Sequence, residues 1–180
     1  MTERSRRGDD AGQDLCEEMV VHVAGLRRYA MLLVGDPVDA DDIVQDTLMR
    51  VLAQARGWRE VRELKPYLFA TLHNVHIDYT RRRKRTGPSI DIDDVVSLLS
   101  SPATQHKRLE LRDLAQALTK LPLEQREVVL LVGVEGMSYS EVAEAVDVPI
   151  GTVMSRLSRG REALRQLTDR KDATKLRVVR

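Results

Sequence analysis

Apolar residues recur at helical spacing along most of the chain, and no segment alternates apolar and polar positions as a half-exposed strand does. In the first half, this spacing predicts three helices. The first ends at Gly35-Asp36-Pro37, the second ends at Gly57, and the third begins at Pro66 and continues into a run of cations. Their apolar stripes are Leu15, Met19, Val23, Leu26, Ala30 and Leu33, then Val44, Leu48, Val51, Leu52 and Ala55, then Leu68, Leu72, Val75 and Tyr79.

The second half opens with a change of composition. Residues 86–104 contain Gly, two Pro, several Ser and an acidic patch, which is typical of a linker. Helical spacing resumes near residue 105, and Pro122 begins a further helix that ends before Gly136. The inward positions are Leu109, Leu111, Leu114, Leu118, Val128, Leu131 and Val132. The pattern predicts an all-α fold of two small helical domains, residues 15–85 and 105–168. A flexible linker (86–104) joins them, a disordered tail (1–14) precedes them, and a basic tail (169–180) follows them.

Residues 138–165 are typical of a helix-turn-helix. Ser138 and Glu141 have capping-box spacing, and Pro149 suits the start of a second helix because its missing N–H donor is not needed there. Asp147 and Val148 supply the turn. The inner face of the second helix is Val153, Leu157 and Leu164, and the residues outside it are Ser155, Arg156, Arg159 and Arg161. An ordinary helical hairpin with a solvated basic face is the alternative, but cap, turn and basic helix in one register favour DNA binding.

The net charge of +1 conceals a strongly uneven distribution along the 180 residues. Residues 29–49 contain five Asp and no Lys or Arg, whereas residues 81–85 are five consecutive cations. Residues 156–180 contain nine Lys or Arg against three acids. This asymmetry predicts one acidic and one basic partner surface. Aromatic residues make up only 3%, so the core is expected to be aliphatic.

Several classes of protein are disfavoured by what the sequence lacks. Cys16 is alone and excludes an internal disulfide; a place in the core is expected for it. The apolar runs are too short to cross a bilayer, and the N-terminus lacks the apolar segment of a signal peptide, which predicts a cytoplasmic protein without membrane insertion. His73 and His76 have no Cys or carboxylate spaced to complete a zinc site. Without a Walker loop, nucleophile elbow or dinucleotide fingerprint, neither enzymatic activity nor a cofactor is expected.

Two charged helices in the first half of the chain are predicted to bind partners. In DADDIVQDTLMRVL, Asp41 and Asp42 occupy the first turn, where the helix dipole favours anions, and Asp46 lies one turn beyond Asp42. This face is interpreted as a protein-docking surface, with a merely solvated face as the alternative. KPYLFATLHNVHIDYTRRRKR offers stacking and hydrogen-bonding groups such as Tyr67 and Asn74 before its cations, which predicts binding to unpaired bases and phosphates. A charged helix end that leads into a linker is the alternative there.

With these three elements in this order, residues 15–168 resemble a bacterial RNA polymerase sigma factor of the extracytoplasmic-function (ECF, group four) family. The resemblance implies an alternative sigma factor that binds the clamp region and upstream flap of core RNA polymerase, directs initiation at promoter DNA, and is controlled by an anti-sigma factor. The residues that it implies for core binding are Asp41, Asp42, Gln45 and Asp46. Those for the minus-ten element are Tyr67, Asn74, Arg81, Arg82 and Arg83, and those for the minus-thirty-five element are Thr152, Ser155, Arg156 and Arg159.

The sequence leaves a different class open. A helix-turn-helix regulator that never joins the polymerase would have a similar second half, but it does not predict the acidic helix followed by the basic one. An RNA-binding adaptor or a hydrolase is a further alternative. Relative to the family pattern, Met154 stands where a basic residue is common, Asp147 stands at the turn Gly, and Gly160 replaces an Ala, which costs about 1 kcal/mol of helix propensity.

Overall fold

The computed structural model of this chain describes residues 3–54, 63–82 and 105–177, and the side chains of residues 15–54, 63–82 and 111–168. The described residues form seven α-helices and no strand, so the predicted all-α class is confirmed. The helices are α1 (Glu3–Val34), α2 (Pro37–Gln54), α3 (Leu64–Arg82), α4 (Gln105–Thr119), α5 (Leu123–Gly133), α6 (Tyr139–Ala145) and α7 (Ile150–Arg177).

Helices α1, α2 and α3 pack against one another and form the N-terminal unit. Gly35 ends α1 with a positive φ of 78°, and the Asp36 carboxylate accepts a hydrogen bond from the Asp39 amide at 2.9 Å at the start of α2. The predicted stripes are largely buried, and the Tyr29 and Phe69 rings meet edge to face with centroids 5.6 Å apart. Leu52 departs from its predicted place because 36% of its surface is exposed.

Helices α4 to α7 form the C-terminal unit, and α6 and α7 are the predicted helix-turn-helix. The Glu141 amide donates to the Ser138 hydroxyl and the Ser138 amide donates to the Glu141 carboxylate, so the capping box is present. Asp147 has a φ of 50°, the left-handed conformation that the turn requires and that Asp tolerates better than most residues. Gly160 faces α5 so closely that a Cβ there would lie 2.7 Å from Val129 Cγ2. The missing methyl therefore allows close helix packing.

The helix ends differ from the predicted boundaries. Helix α1 begins at Glu3, within the segment predicted to be a disordered tail, and α7 continues to Arg177, past the predicted boundary at residue 168. Neither extension contains a proline, so the helical backbone continues without interruption. Cys16 is exposed and not in the core. The predicted linker and Arg83 lie outside the described residues.

The two units contact each other directly, because α1 packs on α5 and α3 packs on α6. Their buried side chains form one continuous apolar cluster. Arg126 of α5 is only 7% exposed, and its guanidinium donates to carbonyls in both units. Within its own unit it reaches Thr119 O at 2.7 Å and Leu121 O at 3.1 Å, and in the other unit Leu32 O at 2.8 Å. Burial lowers the pKa of Arg126, against a raising effect of Glu127. None of the described helices has the length and apolar character needed to cross a membrane.

Candidate nucleic-acid interface

Two carboxylates on the acidic face of α2 form ion pairs within the chain. Asp41 is exposed but bound by Arg27, whose Nε and Nη2 donate to its two oxygens at 2.6 and 2.9 Å. Asp46 is also exposed and accepts from Arg50 Nη2 at 3.0 Å. Asp42 and Gln45 are exposed beside them. Of the four residues predicted to bind a protein partner, two therefore already have an ion-pair partner in the chain.

A residue that sequence analysis missed completes this face. Met49 follows Gln45 by one helical turn and Asp42 by two, so the three lie on one side of α2. Its side chain is 60% exposed and lies on the same side of α2 as the exposed Asp42 and Gln45. The spacing of Asp42, Gln45 and Met49 was the signal in the sequence. Because Met is enriched at protein–protein interfaces, Met49 extends the predicted docking surface.

Helix α3 holds the predicted minus-ten residues in different environments. Asn74, Arg81 and Arg82 are exposed. Tyr67 is half-buried, and its hydroxyl donates to the Gln54 side chain. Arg83 lies outside the described residues. The exposed amide and cations can contact a nucleic acid directly, whereas Tyr67 must first leave its present surroundings.

The opposite side of α3 holds two buried histidines. His73 Nδ1 lies 3.3 Å from Glu127 Oε1 of α5, and both side chains are at most 10% exposed. His76 is 3% exposed, and burial lowers its pKa, although Glu127 raises it in part. Glu127 also raises the pKa of Tyr29, after the larger effect of burial. Among the described residues, no group of His, Cys, Asp and Glu side chains could hold a metal ion. The histidines therefore belong to the contact between the two units.

The residues predicted to contact the minus-thirty-five element differ in their exposure on α7. Ser155 and Arg159 are exposed and Thr152 is half-buried; Arg159 Nε donates back to Ser155 O at 3.2 Å. Arg156 differs, because its side chain is only 20% exposed and Nη2 lies 3.8 Å from Glu124 Oε2 of α5. The sequence periodicity predicts Arg156 on the outer face of α7. Arg156 follows the exposed Ser155 by one residue, and this step around the helix turns its side chain towards α5.

Further residues on this side of α7 are not among those that the family resemblance assigns to the minus-thirty-five element. Met154 and Ser158 are exposed one turn apart, and Arg161 follows Ser158 on the same side. Together with Tyr139 they line a groove of about 490 Å³ between α6 and α7. Exposed arginines next to a helix-turn-helix can neutralise phosphates, while short side chains let the helix approach base edges. This helix has the shape and charge of a surface that binds duplex DNA.

Known proteins resemble the chain in both units. The family model of sigma-70 region 2 matches residues 12–86, and that of sigma-70 region 4 matches residues 111–164. The chain is 36% identical over 153 residues to the ECF RNA polymerase sigma factor EcfG of Rhodopseudomonas palustris (strain TIE-1), covering 85% of this chain and 84% of the relative.

Two solved structures are similar across both units. The sigma factor RpoE in complex with the anti-sigma factor NepR, from Bartonella quintana, has a TM-score of 0.71 and 32% identity over 87% of this chain and 98% of that one. CnrH in complex with the cytosolic domain of CnrY has a TM-score of 0.64 and 26% identity over 90% of this chain and 94% of that one.

Proposed function

The chain belongs to the ECF RNA polymerase sigma factors, and from this we propose that it binds core RNA polymerase and directs initiation at specific promoters. One observation carries the proposal. Region 2 and region 4 occur in that order, and each presents an exposed surface suited to its partner: Asp42 and Gln45 on α2, and Ser155 and Arg159 on α7. A regulator that never joins the polymerase has no use for the first of these surfaces.

Core polymerase docks on α2. Asp42 and Gln45 make the polar contacts with the clamp region, and Met49 contributes apolar area next to Gln45. Asp41 and Asp46 have weaker roles, because binding a partner through either requires an exchange with Arg27 or Arg50. An exposed ion pair contributes at most about 1 kcal/mol to stability. Exchanging such a pair for a contact with the polymerase therefore has a small cost in free energy. The upstream flap is the proposed partner of the C-terminal unit.

Promoter DNA contacts α3 and α7. Asn74 holds a flipped base of the minus-ten element with Tyr67 beside it, and the adjoining phosphates bind Arg81, Arg82 and Arg83. Flipping a base costs a few kcal/mol, which the exposed amide and cations help to offset. Ser155 and Arg159 contact base edges of the minus-thirty-five element, with Thr152 at the start of the helix. Arg156 joins them only if it leaves Glu124.

The regulation of the chain, its cellular location and its domain limits are also inferred from its family membership. The relative from Bartonella quintana is bound to an anti-sigma factor, and we infer the same kind of control for this chain. The chain acts in the cytoplasm, where the polymerase is, and has no catalytic activity of its own. Region 2 corresponds to residues 15–85 and region 4 to residues 105–168, with residues 86–104 as the linker, 1–14 and 169–180 as the terminal segments.

The test is transcription by polymerase free of other sigma factors. Adding the chain to core enzyme and genomic DNA fragments should yield transcripts with defined start sites. Duplex binding by the chain without any start-site-selective transcript would instead support the regulator that remains outside the polymerase.

The docking surface is tested with Asp42→Arg. A charge reversal at the centre of a protein interface should lower affinity for core enzyme by about 1.4 kcal/mol or more, which is at least roughly tenfold. Glu17→Arg makes the same change of charge on an exposed site of α1 and should bind core enzyme like the parent chain. Equal affinities for all three chains, measured by fluorescence anisotropy, would remove α2 from the interface.

A further inference from the structure

The outward face of α7 has a centre of small residues between two longer side chains in its first three turns. An α-helix rotates by about 100° per residue, which places Gly151 and Ser158 at the centre of this face. Met154 lies on one side of them, and Ser155 and Arg159 lie on the other. All five residues are exposed. Because the central residues are small, this face can approach the base edges in a major groove while its two sides contact different base pairs.

One side of this face is polar, and its groups are held together by local hydrogen bonds. Ser155 Oγ donates to Thr152 O at 3.0 Å, and Arg159 Nε donates to Ser155 O at 3.2 Å. Arg159 Nη2 also donates to Ser155 Oγ at 3.4 Å. A guanidinium has more N–H donors than these contacts use, so Arg159 can still donate to a base edge. This side is suited to the hydrogen-bond acceptors of purines.

The other side is apolar. Met154 is 53% exposed, and Ile150, one helical turn before it, is 50% exposed. Tyr139 and Leu157 line the groove next to Met154. A thioether carries no charge and donates no hydrogen bond, so Met154 can neither pair with a phosphate nor bind the acceptors of guanine. Any base preference of Met154 therefore depends on apolar contact.

The major groove of DNA offers one apolar group for such a contact. Guanine, cytosine and adenine present hydrogen-bond donors and acceptors there, whereas thymine also presents its C5 methyl group. A methionine side chain is unbranched and polarizable, and its rotatable bonds let it adapt to the position of a methyl group. Met154 lies on the fifth residue of α7, within the N-terminal part of the second helix that contacts base edges in helix-turn-helix proteins.

We propose that Met154 is a specificity-determining residue of the duplex-binding surface and selects a T·A base pair through apolar contact with the thymine methyl group. This inference rests on the proposed function for the identity of α7 as the helix that binds the minus-thirty-five element. The selected base pair lies next to those contacted by Ser155 and Arg159, because only the small Gly151 and Ser158 separate the two sides of the face.

Deoxyuridine isolates this contact, because it lacks the methyl group of thymine and keeps its hydrogen-bonding groups. Binding selection from randomised duplexes first yields the element that the full chain prefers. Each thymine of that element, on either strand, is then replaced singly by deoxyuridine. One replacement should weaken binding by the parent chain about fourfold, the effect of burying one methyl-sized group. If no replacement weakens binding, the proposal is overturned.

Truncation of the side chain shows whether Met154 makes the contact. Met154→Ala should bind the thymine duplex about fourfold more weakly than the parent chain, and the two should bind the deoxyuridine duplex equally. Alanine favours the helix at least as well as methionine, so α7 should be retained. Val21→Ala truncates an exposed apolar side chain of α1 and should keep the full sensitivity to deoxyuridine. Equal losses of Met154→Ala on both duplexes would assign Met154 a structural role and overturn the proposal.

Exchange of the side chain tests the selected base directly. Arginine pairs with guanine in the major groove, so binding selection with Met154→Arg should replace the T·A pair by a G·C pair at the same position. Met154→Leu keeps an apolar side chain and should still select thymine. A preference for thymine that persists in Met154→Arg would show that another residue selects it.

These measurements concern duplex binding by the full chain without polymerase. Failure of the proposed function appears separately, as the absence of start-site-selective transcripts from core enzyme supplied with a chain that still distinguishes thymine from deoxyuridine.

Discussion

Helices α3 and α7 are both proposed to bind promoter DNA, but they are seated in different ways. Helix α3 packs against its own unit and against α6, His73 faces Glu127 of α5, and both of its histidines are buried. Helix α7 packs on one side only and exposes a continuous face from Met154 to Arg161. A surface that binds rigid duplex DNA can remain exposed at little cost in free energy, because the duplex is already in the conformation that binds. A surface for a melted strand needs apolar and stacking groups, and those same groups can be covered by another part of the chain.

The largest expected effect in this comparison is at Arg159. Arg159→Ala should weaken binding to duplex DNA that carries the minus-thirty-five element by about 1–3 kcal/mol, the value of a good base contact. Because this face of α7 is exposed in the free chain, the loss should be equal in the free chain and in the polymerase complex. Arg156→Ala, with its side chain turned towards Glu124, should have the smaller effect. Anisotropy on labelled duplexes measures both, and the reverse order of effects would contradict the helix rotation described above.

A smaller effect concerns how α7 is held against α5. Gly160→Ala gains about 1 kcal/mol of helix propensity but forces a methyl to within 2.7 Å of Val129 Cγ2. Overpacking of this kind costs about 1–3 kcal/mol, so the net result should be a loss of stability. Gly133→Ala, where a Cβ has open space, should be neutral or stabilising. Chemical denaturation compares the two variants, and a stabilised Gly160→Ala would mean that Val129 can move aside.

Local features of both helices could be predicted from the sequence, because they depend on residues a few positions apart. The capping box of Ser138 and Glu141, the left-handed turn at Asp147 and the end of α1 at Gly35 are such features. The predicted cost of Gly160 was incomplete, since its benefit depends on Val129 in another helix.

Contacts between distant residues had no signal in the sequence. Arg27 neutralises Asp41 from a different helix, and Arg126 donates to a backbone carbonyl 94 residues away. A carbonyl group is present at every residue, so no residue type marks Leu32 as a partner. For the same reason, nothing in the sequence indicates that α6 packs against α3.

The smallest expected effect concerns the pH dependence of stability, through His76 on the buried side of α3. His76 is 3% exposed, and its pKa is lowered by burial and by His73, with Glu127 opposing. A histidine with a lowered pKa binds fewer protons in the folded chain than in the unfolded chain, so its contribution to stability is lost as pH falls below the unfolded pKa of about 6.5. The parent chain should therefore lose more stability than His76→Gln between about pH 7.5 and pH 5.5. Helix α7 contains no histidine, so variants such as Arg159→Ala should keep the pH dependence of the parent chain. Thermal unfolding at the two pH values measures this difference, and equal losses in the parent chain and His76→Gln would mean that Glu127 fully offsets the effect of burial.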